Sequence, residues 1–181
     1  MKDLALHILD ILQNSVRAGA TEVTLQIDEI PSENKYLLKF IDDGKGMEAE
    51  MVKKVTDPFF TTRTTRKVGL GLPLLKQNAE RTGGSMTIWS QPGKGTEVDV
   101  VFEHSHIDRL PMGDIAGILA LTVSSYPAID FNYKHTTPNG KFVFDTKEIK
   151  ETLGDMPLSN PQVIKFMKDF IRDNLIEIKA S

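Results

Sequence analysis

The sequence predicts a two-layer α/β fold over roughly its first hundred residues, followed by a small α+β extension. Two patterns predict it. Apolar residues recur at helical spacing near the N-terminus and again after residue 70, and they alternate with polar residues in segments bounded by turn formers. A chain of 181 residues can bury a core as one domain, or as one domain with an appendage. Formal net charge is −3 and the pI is about 5.8, so no overall basic field points to nucleic acid or to an anionic membrane. Cysteine is absent, which excludes disulfides, thiolate metal sites and cysteine nucleophiles and fits a reducing cytoplasm. Asp3, His7, Asp10, Gln13 and Asn14 interrupt the N-terminal apolar residues, so no signal-peptide block is present, and no run is long enough to insert in a membrane. A soluble, cytoplasmic protein is expected.

Residues 2–17 carry Leu4, Ile8, Ile11 and Leu12 at helical spacing, widened by Ala5, Leu9 and Val16, and Gly19 stands where such a helix would stop. At about 100° per residue, Asn14 lies about 40° to one side of Asp10 and Arg17 about 20° to the other, opposite the apolar stripe. Asp3 and His7 fall on that polar side too. The trio reads either as a solvated helix face or as a carboxylate, an amide oxygen and a cation aimed at one ligand. Asp and Asn oxygens one turn apart suit Mg²⁺, which prefers hard oxygen donors and keeps several waters. His7 is given no role.

Val23, Leu25 and Ile27 predict a half-buried strand over 21–30, the turn 31–34 follows, and a second strand covers 36–41. That strand ends in Asp42-Asp43-Gly44-Lys45-Gly46-Met47. Alternate glycines permit positive φ and close approach of a ligand, and a strand-end carboxylate can accept a hydrogen bond from a ligand amine. A short helix over 48–55 is stopped by Asp57-Pro58. Residues 57–68 have no amphipathic period; Phe59 and Phe60 lead into four Thr, two Arg and a Lys, which reads as a lid over an anion or as a surface loop. Gly69-Leu70-Gly71-Leu72 opens a second helix with Leu74, Leu75 and Ala79, closed by Gly83-Gly84. Its N-terminus offers free N–H groups and a positive dipole end to phosphate. Strands at 85–90 and 96–103 flank the loop 91–95, and Thr96 follows that loop directly.

Two familiar phosphate motifs fail. Gly44 to Ala49 matches G-x-G-x-x-G/A, but the Thr/Arg segment stands where an acidic strand end should follow about 20 residues on. Gly44-Lys45, Gly93-Lys94 and Gly140-Lys141 are not followed by Ser or Thr, so no Walker loop exists.

Taken in order, Asp10 and Asn14 on the first helix, Asp42-x-Gly44-x-Gly46, Phe59/Phe60, Gly69-x-Gly71 and Gly95-Thr96 make residues 1–103 resemble the GHKL ATPase family of gyrase, heat-shock chaperone, histidine kinase and mismatch-repair domains. The resemblance implies the Bergerat fold, a mixed sheet with helices on one face, and an ATP site. It implies that Asn14 holds Mg²⁺, that Asp10 is the catalytic base and that Arg17 meets phosphate. Asp42 would receive the adenine amine and Thr96 would support the ring through a water. Gly69 and Gly71 would wrap the β and γ phosphates, and Gly44, Gly46, Met47, Phe59, Thr61, Thr62, Arg63, Arg66, Lys67, Leu70 and Leu72 complete the implied ATP contacts.

Within the family the Asp-Pro-Phe-Phe segment and the Gly-x-Gly-Leu run look most similar to histidine kinases. The sequence departs from them in starting at the ATP domain, without a helical hairpin bearing a phosphoacceptor histidine, and in having Asp10 where hydrolysing members carry Glu. The missing hairpin looks like the stand-alone anti-sigma-factor serine kinases, which phosphorylate a partner protein, and the shorter Asp10 implies slow hydrolysis. The expected function is a Mg-ATP-binding signalling kinase acting on a partner protein; the alternatives are a non-catalytic ATP-dependent switch and an ATP-gated dimerisation module.

Beyond residue 103 no family resemblance is found. The pattern predicts a linker over 104–111, a helix over 114–125, a hairpin of 128–135 and 141–145, a short helix over 146–153 and a last helix over 161–178. Val163, Phe166, Met167, Phe170, Ile171 and Leu175 share one stripe of that helix, as core or as a partner or homodimer surface. His104 and His106 form no metal set.

Overall fold

In a computed structural model, which describes residues 2–57 and 70–181, six strands form one mixed sheet in the order β3-β4-β2-β1-β5-β6. The strands are β1 (Glu22–Ile30), β2 (Lys35–Asp42), β3 (Ser85–Gln91), β4 (Gly95–Glu103), β5 (Asp130–Thr137) and β6 (Gly140–Asp145). The helices are α1 (Leu4–Arg17), α2 (Ala49–Lys54), α3 (Gly71–Arg81), α4 (Ile115–Ser125), α5 (Thr146–Leu153) and α6 (Pro161–Glu177). Every neighbouring strand pair is antiparallel except β1 and β5, which run parallel.

Period-two patterning places Val23, Leu25 and Ile27 of β1 beside Phe40 and Leu38 of β2, Val98 and Val100 of β4, and Phe131 and Tyr133 of β5, all buried beneath the helices. The opposite face is polar at its centre, where Lys39 bridges Glu97 and Asp99. This is the α+β sheet with helices on one face that the resemblance implied. None of the described helices is long and apolar enough to cross a membrane.

The segment after residue 103 contributes two strands to the same sheet, because β5 pairs along β1 from Glu22↔Asp130 to Asp28↔Thr136. It also caps α1: Leu4 N–H donates to Pro111 O at 2.9 Å and Ala5 N–H to Met112 O at 2.8 Å, filling first-turn donors that have no partner within the helix. Asp3 completes that N-cap by accepting from Leu6 N–H at 3.0 Å.

One expectation is corrected and one open reading is narrowed. The polar side of α1 is covered by α3, not solvated throughout: His7 is only 1% exposed, and its Nε2 lies 3.0 Å from the Asn78 amide nitrogen. Burial lowers the His7 pKa, so the ring is the neutral acceptor of that amide. The α6 stripe is also split. Val163, Met167 and Ile171 are buried, whereas Phe166 and Phe170 are 52% and 36% exposed and stack with centroids 5.8 Å apart.

At the sheet end bearing the β1 C-terminus, buried Glu29 accepts from His135 Nε2 at 2.8 Å, from Ser181 N–H at 2.8 Å and from Ser181 Oγ–H at 2.6 Å. Burial alone would raise its pKa, but the bonds from His135 and Ser181 outweigh that and hold it at about 2, against an ordinary 4.5. A carboxylate whose folded pKa is depressed stabilises fully above its unfolded pKa, and that contribution is lost as pH falls from about 4.5 through about 2. The shift corresponds to roughly 3 kcal/mol. Glu29→Gln should therefore lower stability at pH 7 and remove the part of the acid dependence that Glu29 contributes between about pH 4.5 and 2; melting curves of wild type and variant that fall in parallel with acid would refute this.

Candidate functional site

The opposite end of the central strands is built differently. Asp42 is the last residue of β2, and its register sets it between Val23 of β1 and Thr96 of β4. Its carboxylate is held from two sides: Ser15 Oγ–H donates to Oδ2 at 2.7 Å, and Gly44 N–H donates to Oδ1 at 3.0 Å. A carboxylate has about four lone-pair directions, so Asp42 keeps capacity for a ligand donor while its orientation is set. Asp43, the residue after the strand, points the other way and binds the start of β1, accepting from Thr21 N–H at 2.8 Å and Glu22 N–H at 2.9 Å. Burial raises the Asp43 pKa less than these bonds and the Thr21 hydroxyl lower it, so it stays an anion at neutral pH.

The turn after β2 is packed tightly against its neighbours. A Cβ on Gly44 would lie 2.7 Å from the Ala18 Cβ, and Lys45 N–H donates to Ala18 O at 2.8 Å. Gly46 has φ +67°, and a Cβ there would sit 2.0 Å from Gln91 O. Met47 N–H then donates to Ser90 Oγ at 2.8 Å, and the same oxygen lies 2.8 Å from Thr96 Oγ1. Ser90 thus ties the turn to Thr96.

Helix α1 supplies the remaining side chains. Asn14 Oδ1 accepts from Arg17 Nη1 at 2.8 Å, and Arg17 Nη2 donates to Gln13 Oε1 at 3.2 Å. Asp10 lies against the first residue of α3: a Cβ on Gly71 would fall 1.6 Å from Asp10 Oδ2, so only glycine permits this approach. Leu70, 41% exposed, accepts from Leu74 N–H at 3.0 Å at the head of α3, and Leu72 packs on the core. The structure therefore brings Asp42, Gly44, Gly46, Met47 and Thr96 into one connected group. Asn14 joins them through its neighbour Ser15, and Asp10 abuts Gly71. Phe59, Phe60, Thr61, Thr62, Arg63, Arg66, Lys67 and Gly69 lie outside the described residues.

Residues 2–106 match the family described as histidine kinase-, DNA gyrase B- and HSP90-like ATPase. The chain belongs to this ATPase family. Over 97 residues the ATPase chain is 34% identical to a sensor protein of Shewanella frigidimarina, covering 52% of this chain and 15% of that one. Over 106 residues it is 29% identical to sensor histidine kinase YxdK of Bacillus subtilis, covering 56% and 33%. It thus spans a third or less of these relatives' lengths, and its type is that of the histidine-kinase ATPase domain. The Aquifex aeolicus MutL ATPase domain complexed with ADP shares the fold, with a TM-score of 0.54 at 15% identity over 84% of this chain and 69% of that one.

In the ATPase domain, no group of three or more His, Asp or Glu among the described residues could cage a metal. A divalent ion held by one amide oxygen, with waters and phosphates as its other ligands, is the arrangement that fits, and Asn14 Oδ1 already accepts a cationic donor in Arg17.

Ser15 and Ser90 were not singled out from sequence. Ser15 had a readable signal, since at about 140° from Asp10 it puts a hydroxyl on the apolar side of α1. Ser90 had none, because its role depends on the β3–β4 register, Ser90↔Thr96.

Proposed function

We propose that this ATPase domain binds Mg-ATP with its adenine on Asp42 and transfers the γ-phosphate to a side chain of a partner protein. The observation that carries the reading is the Asp42 carboxylate fixed by Ser15 and Gly44 beside Thr96, an acceptor poised for an exocyclic amine. The sensor-kinase relatives support phosphotransfer as the type of reaction.

In this reading Asn14 holds Mg²⁺, which when bound would neutralise charge on the phosphates. Gly71 lets the α3 N-terminus approach Asp10, so the positive end of the helix dipole lies beside that carboxylate. Asp10 takes the proton of the acceptor hydroxyl or imidazole as its heteroatom–phosphorus bond forms and the bond from phosphorus to the β,γ-bridging oxygen breaks, releasing ADP. Ser15 and Gly44 keep the adenine end stationary meanwhile.

The test is γ-labelled ATP incubated with the purified protein and a host extract. Label should move to a protein, and Asp10→Ala should cut that transfer by about 10²- to 10⁴-fold with ATP affinity retained. Transfer unaffected by Asp10→Ala would remove Asp10 from catalysis, and ATP binding without labelled protein would favour the non-catalytic switch.

A further inference from the structure

We propose that Arg17 is a built-in competitor of the metal: its guanidinium holds the Asn14 oxygen in the metal-free domain and must leave for Mg²⁺ to bind. This rests on the nucleotide reading above. Arg17 Nη1 donates to Asn14 Oδ1 at 2.8 Å, while Nη2 is anchored on Gln13 Oε1 at 3.2 Å. Arg17 is also the last residue of α1, where the helix dipole favours a cation. The planar fork therefore spans two side chains on consecutive positions, a geometry the point charge of lysine does not reproduce.

A divalent ion using Asn14 as an inner ligand needs the same oxygen. Two cations on one oxygen repel each other, so metal binding displaces Arg17 instead of adding to it. The displaced guanidinium stays tethered at the end of α1, a turn from Asn14, where it is available to an incoming phosphate. Metal arrival and release of Arg17 are then one coupled event, and the coupling is reciprocal: whatever holds Arg17 on Asn14 weakens the metal by the same factor. Gln13, which touches neither ligand in this scheme, sets that balance as a positioning residue.

The experiment measures ATP affinity by calorimetry across a Mg²⁺ series for wild type, Gln13→Ala, Arg17→Lys and Arg17→Ala, with melting curves to verify folding. Gln13→Ala keeps the guanidinium but loosens it, so the Mg²⁺ concentration giving half of the metal-dependent gain in affinity should fall about two- to threefold. Arg17→Lys should behave similarly. Arg17→Ala should lower that midpoint about tenfold while weakening metal-free ATP, because a phosphate cation is lost with the competitor. Equal midpoints in all four proteins, or a midpoint raised by Arg17→Ala, would overturn the competition and leave the nucleotide reading standing. A wild type that binds no ATP at any Mg²⁺ concentration would overturn both.

Discussion

Asp42→Asn should weaken ATP binding by about tenfold to a hundredfold, the effect of leaving one charged hydrogen-bonding group without its partner. The structure explains why so small a change would matter. The carboxylate accepts from Ser15 Oγ–H and from Gly44 N–H, and still has lone pairs for the N6 amine of adenine. An asparagine has a single acceptor oxygen. Ser15 can reverse its hydroxyl to accept from the new amide, but Gly44 N–H and the adenine amine must then share one oxygen, or the amine meets an N–H. Because Gly44 is buried and its turn rests on Ala18, the backbone bond is expected to persist and the ligand to lose. Fold stability should change little, which separates a binding defect from an unfolded protein. Calorimetry giving unaltered ATP affinity would sink the adenine assignment, and guanine nucleotides, which present an oxygen where adenine has its amine, should bind more weakly to the wild type.

Gly46→Ala has the next largest expected effect, and it acts on the framework as well as on the ligand. At φ +67° an alanine costs about 1–3 kcal/mol of backbone strain. Its Cβ would also lie 2.0 Å from Gln91 O, a backbone atom that cannot rotate away, so the turn must pull off the β3–β4 loop. That movement strains the Met47–Ser90 bond and with it the link to Thr96. The melting temperature should drop by several degrees and ATP affinity should fall further than stability alone predicts. Gly93→Ala provides the control: its φ is +75° with nothing within 4 Å of the added Cβ, so it carries the strain without the collision. Equal melting temperatures for the two variants would show that the contact with Gln91 is immaterial.

The limits of sequence reading are visible in particular residues. Each helix and strand of the structure has a counterpart in the patterning to within about two residues, because an apolar period of 3.6 or 2 and the position of Gly or Pro are local properties. His7 was misplaced because helical angle says only that a side chain faces away from the main stripe; it does not say that α3 will cover that side too. Phe166 and Phe170 lie on the edge of an apolar stripe wider than the surface available to bury it, so they stay exposed while Val163, Met167, Ile171 and Leu175 reach the core.

The residues proposed for the nucleotide end were legible in the sequence: a strand-end Asp42 before paired glycines, and Asp10, Asn14 and Arg17 on one side of a helix, require only chain order and local geometry. Which groups complete that chemistry was decided by the tertiary structure. The hydroxyl of Ser15 on Asp42, Ser90 between Met47 and Thr96, the backbone of Gln91 behind Gly46 and β5 running parallel to β1 all join positions far apart in the chain. Alternation of apolar residues is identical for parallel and antiparallel neighbours and for every register shifted by two, so these pairings are selected by competition among whole surfaces for burial, a property no single segment carries.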